Sequence, residues 1–172
     1  MSSMIKSFIR DVPDFPKKGI IFKDLTPLLS DPVALQKTYE KLADKVKDLD
    51  FDLIVGTESR GFIFGVGLSR VTGKGFVPIR KKGKLPCATY SENYQLEYGT
   101  DTLEIHQDAI KRGQKVLLVD DLLATGGTMA ASINLVGKCQ GRVAGCAFVI
   151  ELEFLYGRKR IEPNKVFSLA QY

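Results

Sequence analysis

Asp120 and Asp121 stand side by side in VLLVDDLLATGGTM, Val116 to Met129, where an apolar run meets two carboxylates and then a turn of small residues. Two adjacent acids ahead of a turn suited to an anion look contradictory until both groups are assigned to one ligand. Ionised carboxylates accept hydrogen bonds from vicinal hydroxyls. The small residues Ala124, Thr125, Gly126, Gly127 and Thr128 let backbone N–H groups converge on a phosphate at the start of a helix. A ribose 5-phosphate carries both groups. Thr125 and Thr128 add hydroxyl donors, and a negative charge at a helix N-terminus is favoured by ~0.3 to 1 kcal/mol at exposed sites.

Other phosphate motifs are excluded by single residues. A Walker A loop needs a lysine directly after its last glycine, and none follows Gly127. The dinucleotide fingerprint G-x-G-x-x-G is absent as well. The two aspartates could hold a metal, but ribose hydroxyls match ionised carboxylates directly. Capping of the next element commonly explains one strand-end aspartate and seldom two.

The elements that must position these groups are legible around them. SDPVALQKTYEKLADKVKDL opens with Asp31 as N-cap and Pro32 in the first turn, and Tyr39, Leu42, Ala43 and Val46 follow at helical spacing. Short apolar runs FDLIVG, GFVPIR, KVLLVD and RVAGCAFVIE alternate with the helix-compatible segments GFIFGVGLSRV and GTMAASINLVGKC. Such runs suit strands buried on both faces. The expected fold class is α/β, an open, mostly parallel sheet flanked by helices, with ligands beyond the carboxyl ends of the strands. Glu58 to Gly61, Arg80 to Lys84 and Asp120 to Thr128 all fall there, with the KVLLVD strand expected to end after Val119. The stretch from Lys81 to Thr102, rich in Gly, Pro, Ser, Tyr and Glu, is too long for a simple connector and reads as a mobile lid.

Composition narrows the class. The 172 residues, 44% hydrophobic and 26% charged with 16 Gly and 7 Pro, suit one globular domain that buries about 70% of the surface its unfolded chain exposes. The net charge of +5 is scattered, with a dense group only at RKKGK, Arg80 to Lys84, which a polyanionic small molecule explains as well as nucleic acid does. Cys87, Cys139 and Cys146 form no C-x-x-C pair and suit a reducing cytoplasm, with Cys146 in an apolar run as a core residue. Neither a signal peptide nor a membrane span is expected.

VLLVDDLLATGGT closely resembles the phosphoribosyl pyrophosphate (PRPP) signature of the type I phosphoribosyltransferases. FPKKGIIFKDLTPLL, GTESRGFIFG, IRKKGKLP and LEYGTDTLEIH resemble further blocks of that family's adenine-using branch, in its order and over nearly the whole chain. The resemblance implies the type I phosphoribosyltransferase fold as a single domain over residues 1–172, with residues 1–30 forming a hood over the base and a flexible lid loop. It implies the reaction of adenine with PRPP to AMP and pyrophosphate, with Mg2+ held mainly through PRPP and water. No nucleic-acid or membrane partner is implied, and a homodimer is, with the Phe62 to Leu68 face of GFIFGVGL as its candidate contact.

The resemblance also distributes roles. Glu58, Ser59 and Arg60 fall in the pyrophosphate loop, with a cis peptide at Glu58-Ser59 and Arg60 as the direct contact, since guanidinium binds phosphate bidentately. Arg80, Lys81 and Lys84 join them from the lid entrance. Glu97 is the catalytic glutamate, which accepts or relays the proton that the purine must lose, and Tyr98 shields the reacting centre. Ile20, Ile21, Phe22 and Lys23 enclose and read adenine. A phosphoribosyltransferase for another purine, and a PRPP-sensing regulator that binds RNA or DNA, are the competing readings. An intact LEYG lid and the lack of a separate helix-turn-helix segment weigh against the regulator.

Overall fold

Asp31 starts the long N-terminal helix as its sequence implies. Its Oδ1 accepts from Val33 N at 3.0 Å and Ala34 N at 2.8 Å, so two of the amides that a helix start leaves without partners are satisfied. The computed structural model describes residues 2–96 and 99–172. Ahead of this helix come α1 (Ser2–Lys6), β1 (Arg10–Pro13), β2 (Ile21–Asp24) and α2 (Thr26–Ser30), and the helix itself is α3 (Pro32–Val46). There follow β3 (Leu53–Thr57), α4 (Arg60–Thr72), β4 (Gly75–Lys81), β5 (Thr89–Leu96), β6 (Gly99–His106) and β7 (Lys115–Leu123). The chain closes with α5 (Gly127–Lys138), β8 (Arg142–Glu151), a short 3-10 turn (Glu153–Leu155), α6 (Gly157–Arg160) and β9 (Val166–Gln171).

Seven strands form one sheet in the order β5-β6-β4-β3-β7-β8-β9. The pairs β4/β3, β3/β7, β7/β8 and β8/β9 are parallel, and β6 and β5 extend the sheet antiparallel beside β4. Alternate strand residues feed two cores. Ile54, Leu117 and Val119 pack with Leu42 and Val46 of α3 and Phe64 and Leu68 of α4. Val55, Leu118 and Phe148 pack with Met129, Leu135 and Val136 of α5 on the other face. That is why the central runs are continuously apolar: both faces are covered.

Two expectations change. The end of β7 at Val119 holds on one flank only, because pairing with β3 stops at Gly56↔Val119 while pairing with β8 continues to Leu123↔Glu151. Asp120 and Asp121 therefore pass the end of β3 while still held in register by β8. The segment expected as a lid loop is largely a β-hairpin, with β5 and β6 paired from Thr89↔His106 to Leu96↔Gly99. One face carries Tyr90, Glu92 and Tyr94 opposite Ile105, Leu103 and Asp101. Leu103, Ile105 and Tyr94 are buried, and Glu92 accepts from Asn134 of α5 at 2.8 Å and pairs with Lys138 at 2.6 Å.

A separate two-stranded antiparallel sheet joins β1 to β2, Arg10↔Asp24 through Pro13↔Ile21. Asp24 locks its base: it accepts from Thr26 Oγ1 at 2.6 Å, Thr26 N at 2.9 Å and Arg10 Nε at 3.0 Å, and these bonds hold its carboxyl down at about 2. Cys87 is exposed, while Cys139 and Cys146 are buried free thiols, Cys146 pushed up to about 12 by burial. Among the described residues no helix is long and apolar enough to cross a membrane.

Candidate active site

The carboxyl ends of β3 and β7 meet at Gly61. A Cβ at this position would lie 2.8 Å from Asp120 Oδ1 and 2.9 Å from Val119 O, so only glycine lets the first turn of α4 close against the acidic pair. The peptide before that turn, Glu58-Ser59, is cis. Arg60 then opens α4 and directs its Nε to within 2.9 Å of Asp121 Oδ2. The N–H is not aligned for a hydrogen bond, and Asp121 Oδ2 is a buried acceptor without a hydrogen-bond partner among the described residues.

The two aspartates differ in their surroundings. Asp120 Oδ1 accepts from Asp121 N at 2.9 Å. Burial raises the Asp120 carboxyl well above the usual range, and the Asp121 charge adds to this. Burial raises Asp121 too, opposed by the Arg60 charge. Both carboxyls are therefore harder to ionise in the free protein than in water, and hydroxyl donors of a ligand would favour their ionised forms.

After Leu123 the chain turns through Ala124 and Thr125 to Gly126, which sits at φ 79° and caps α5. Gly126 brings no side-chain oxygen to the helix start, so the first amides of α5 are left to a ligand or solvent. Gly126 and Gly127 are buried and Thr125 is exposed. A cavity of about 400 Å³ joins this turn to the rest of the site. Its walls include Glu58, Ser59, Arg60, Lys81, Asp120 and Asp121 together with Ala124 to Thr128. Residues distant in sequence thus share one basin, as their chemistry requires.

Other expected residues stand around it. Glu58 Oε2 accepts from Lys81 N at 2.7 Å and Arg80 Nε at 3.2 Å. Burial works to raise its carboxyl, but these bonds and the Arg80 and Lys84 charges outweigh burial and leave it below the ordinary range. Glu58 thus holds the end of β4, and Arg80 and Lys84 are not among the residues that line the cavity. Lys81 does line it, and its Nζ pairs with Asp101 Oδ2 at 3.1 Å. On the β1/β2 ribbon, Phe22 stacks edge-on with Phe15 at 5.2 Å between ring centroids and lies 5.4 Å from the Arg60 guanidinium. Ile20 is half-buried and Ile21 exposed. Lys23 is turned to Asp11 Oδ1 at 2.7 Å and the Tyr172 ring at 3.9 Å, and it is not among the residues that line the cavity. Glu97 and Tyr98 lie outside the described residues.

Sequence reasoning missed Tyr94, Asp101, Leu122, Leu123 and Met129, which also line the cavity. The alternation of Tyr90, Glu92 and Tyr94 was the available signal for the first of these. It also missed Gly157, which packs against the turn at Ala124 and Gly126.

A mostly parallel sheet with an acidic pair near the end of β7, a glycine turn opening α5 and an arginine opening α4 is the arrangement of a phosphoribosyltransferase. The chain matches the phosphoribosyl transferase domain family over residues 28–170 and belongs to it. Within that family it belongs with the adenine phosphoribosyltransferases. It is 58% identical to the adenine phosphoribosyltransferase of Halothermothrix orenii over 97% of this chain and 98% of that protein. The crystal structure of the enzyme from Thermoanaerobacter pseudethanolicus superposes with a TM-score of 0.97 at 52% identity, covering 100% of both chains. The Saccharomyces cerevisiae enzyme, solved with adenine and an imino-altritol bisphosphate, gives a TM-score of 0.92 at 40% identity, covering 98% of this chain and 97% of that one.

Proposed function

We infer that the chain transfers the phosphoribosyl group of PRPP to adenine and releases AMP and pyrophosphate, a step of purine salvage. The observation that carries this reading is the single basin in which Asp121 Oδ2, buried and without a hydrogen-bond partner among the described residues, sits beside the α5 phosphate turn and Arg60. In the reaction the bond from ribose C1 to the pyrophosphate oxygen breaks, a bond from C1 to adenine N9 forms, and the N9 proton leaves the base.

Each part of the chain has a task in this scheme. The amides and hydroxyls of Ala124 to Thr128 bind the 5-phosphate, and Asp120 and Asp121 accept from the ribose hydroxyls. Arg60 and Lys81, with Ser59 and the backbone of the Glu58 loop, stabilise charge that grows on the departing pyrophosphate. Arg80 and Lys84 add long-range positive field from the end of β4. Residues 1–30 form the hood, where the backbone of Ile20 to Lys23 reads the base edge and Phe22 covers the ring. Glu97 takes or relays the purine proton, and Tyr98 keeps water from the reacting centre.

Mg2+ is the proposed cofactor, carried mainly by PRPP oxygens and water. The fit rests on the all-oxygen character of the acidic pair, which suits a hard cation near it. When bound, the ion neutralises part of the pyrophosphate charge. A homodimer is supported by the outer side of α4, where Ile63, Val66 and Val71 are exposed at 37%, 52% and 41%. Phe64 and Leu68 from the same segment are core residues instead. A cytoplasmic setting fits the three free thiols. With PRPP, Mg2+ and adenine, AMP and pyrophosphate should appear in equal amounts; pyrophosphate without AMP would contradict transfer to the base.

A further inference from the structure

We propose that α6 is a fixed wall behind the phosphate turn, with Gly157 as its contact point and Arg158 as the residue that positions it. The proposal rests on the reading of Ala124 to Thr128 as the 5-phosphate turn. Gly126 and Gly157 approach backbone to backbone: a Cβ on Gly126 would lie 2.6 Å from Gly157 O. A Cβ on Gly157 would collide with Ala124 O and come within 3.1 Å of Gly126 N. The turn therefore cannot relax away from the ligand without moving α6.

α6 is itself anchored from below. Arg158 bonds Glu151 through Nε to Oε1 at 2.5 Å and through its second terminal nitrogen to Oε2 at 2.7 Å, and it donates to Val166 O at 3.2 Å. Only 4% of the Glu151 side chain is exposed, and Ser168 Oγ donates to it at 2.6 Å. The same strand end ties to the chain just ahead of the turn, since Leu152 N donates to Leu123 O at 2.9 Å. A bidentate guanidinium pair fixes orientation as well as distance, so the end of β8 sets α6, and α6 sets the amides that meet the phosphate.

The test uses the full chain and ribose 5-phosphate as the probe. Calorimetric titration of Gly157→Ala should show binding weakened by about tenfold or more, the loss of one charge-assisted hydrogen bond or its equivalent. The KM for PRPP should rise in parallel, with the KM for adenine at saturating PRPP unchanged. Arg158→Met should weaken ribose 5-phosphate in the same way, and Arg158→Lys should recover part of the loss. Unaltered ribose 5-phosphate affinity in Gly157→Ala would overturn the proposal, as would equal loss of adenine and phosphate affinity, which marks general damage. If Gly157→Ala does not fold, the two Arg158 variants decide, and wild-type affinity in Arg158→Met overturns it. Absence of ribose 5-phosphate binding by the unaltered chain would overturn the reading of the turn itself, and the wall with it.

Discussion

Arg60 Nε lies 2.9 Å from Asp121 Oδ2, so the cation assigned to pyrophosphate and a carboxylate assigned to ribose are paired in the free protein. Each ligand group that enters must replace part of that pairing. Arg60→Ala should lower kcat/KM for PRPP by about 10² to 10³, the range for losing a preorganised charge-stabilising donor. Arg60 opposes the raised Asp121 pKa, so its removal should also move the acid limb of the kcat/KM profile to higher pH. A profile unmoved on its acid side would show that the two side chains are not coupled in function.

The Asp120 carboxyl is raised by burial and by its neighbour's charge. A carboxyl whose folded pKa exceeds its unfolded value of about 3.9 contributes stability that is complete below that value and is lost as pH rises through the folded pKa. Asp120→Asn has no such loss. Its Tm should match or exceed the parent's, with an advantage that grows as pH rises above the unfolded carboxyl value of about 4. Activity should fall at the same time, since stability and a polar site oppose each other here. Thermal melts across this pH range check it, and a constant Tm difference would contradict the assigned burial cost.

Gly61→Ala places a methyl group against Asp120 Oδ1 and Val119 O. The arginine loop and the acidic pair must then separate, and misplacement of this order costs about 10² in rate. Helix propensity favours alanine at this position, so the variant should fold. Steady-state kinetics with unchanged circular dichroism would support the account; wild-type kcat/KM would remove the requirement for close approach.

Glu97→Gln keeps shape and one acceptor oxygen but cannot accept the purine proton. A loss in kcat of about 10² to 10⁴ is expected for removal of a general base, with little change in KM for PRPP. A wild-type kcat would limit Glu97 to positioning the base.

Local signals were legible in the sequence, and long-range ones were not. Asp31 as N-cap, the apolar period of α3 and the four central strands all depend on neighbours within a few residues, and each appears where its pattern places it. The turn into α5 is equally local, since Gly126 supplies the positive φ that caps the helix. The hairpin of β5 and β6 was obscured because Gly83, Pro86 and Ser91 suggest a loop, although Tyr90, Glu92 and Tyr94 alternate as a strand face should. The continuation of β7 past Val119 depends on β8 remaining beside it to Glu151. Arg60 against Asp121 and Gly157 against Gly126 join elements far apart in the chain, and no spacing rule in one sequence reports such contacts. Base choice was carried by resemblance, because the readers proposed for the ring edge are backbone groups of Ile20 to Lys23, which side-chain types do not encode.

The central claim is base-specific transfer, and the direct measurement is kcat/KM with PRPP and Mg2+ for adenine, hypoxanthine, guanine and xanthine side by side. Hypoxanthine reverses a donor and an acceptor at the base edge, leaving buried polar groups unpaired at about 1 to 3 kcal/mol each. Adenine should therefore exceed every other base by at least about tenfold, with AMP as its product. Turnover of another base in preference to adenine would contradict the account of Gly19 to Asp24, and binding of PRPP without turnover of any base would contradict the enzyme itself.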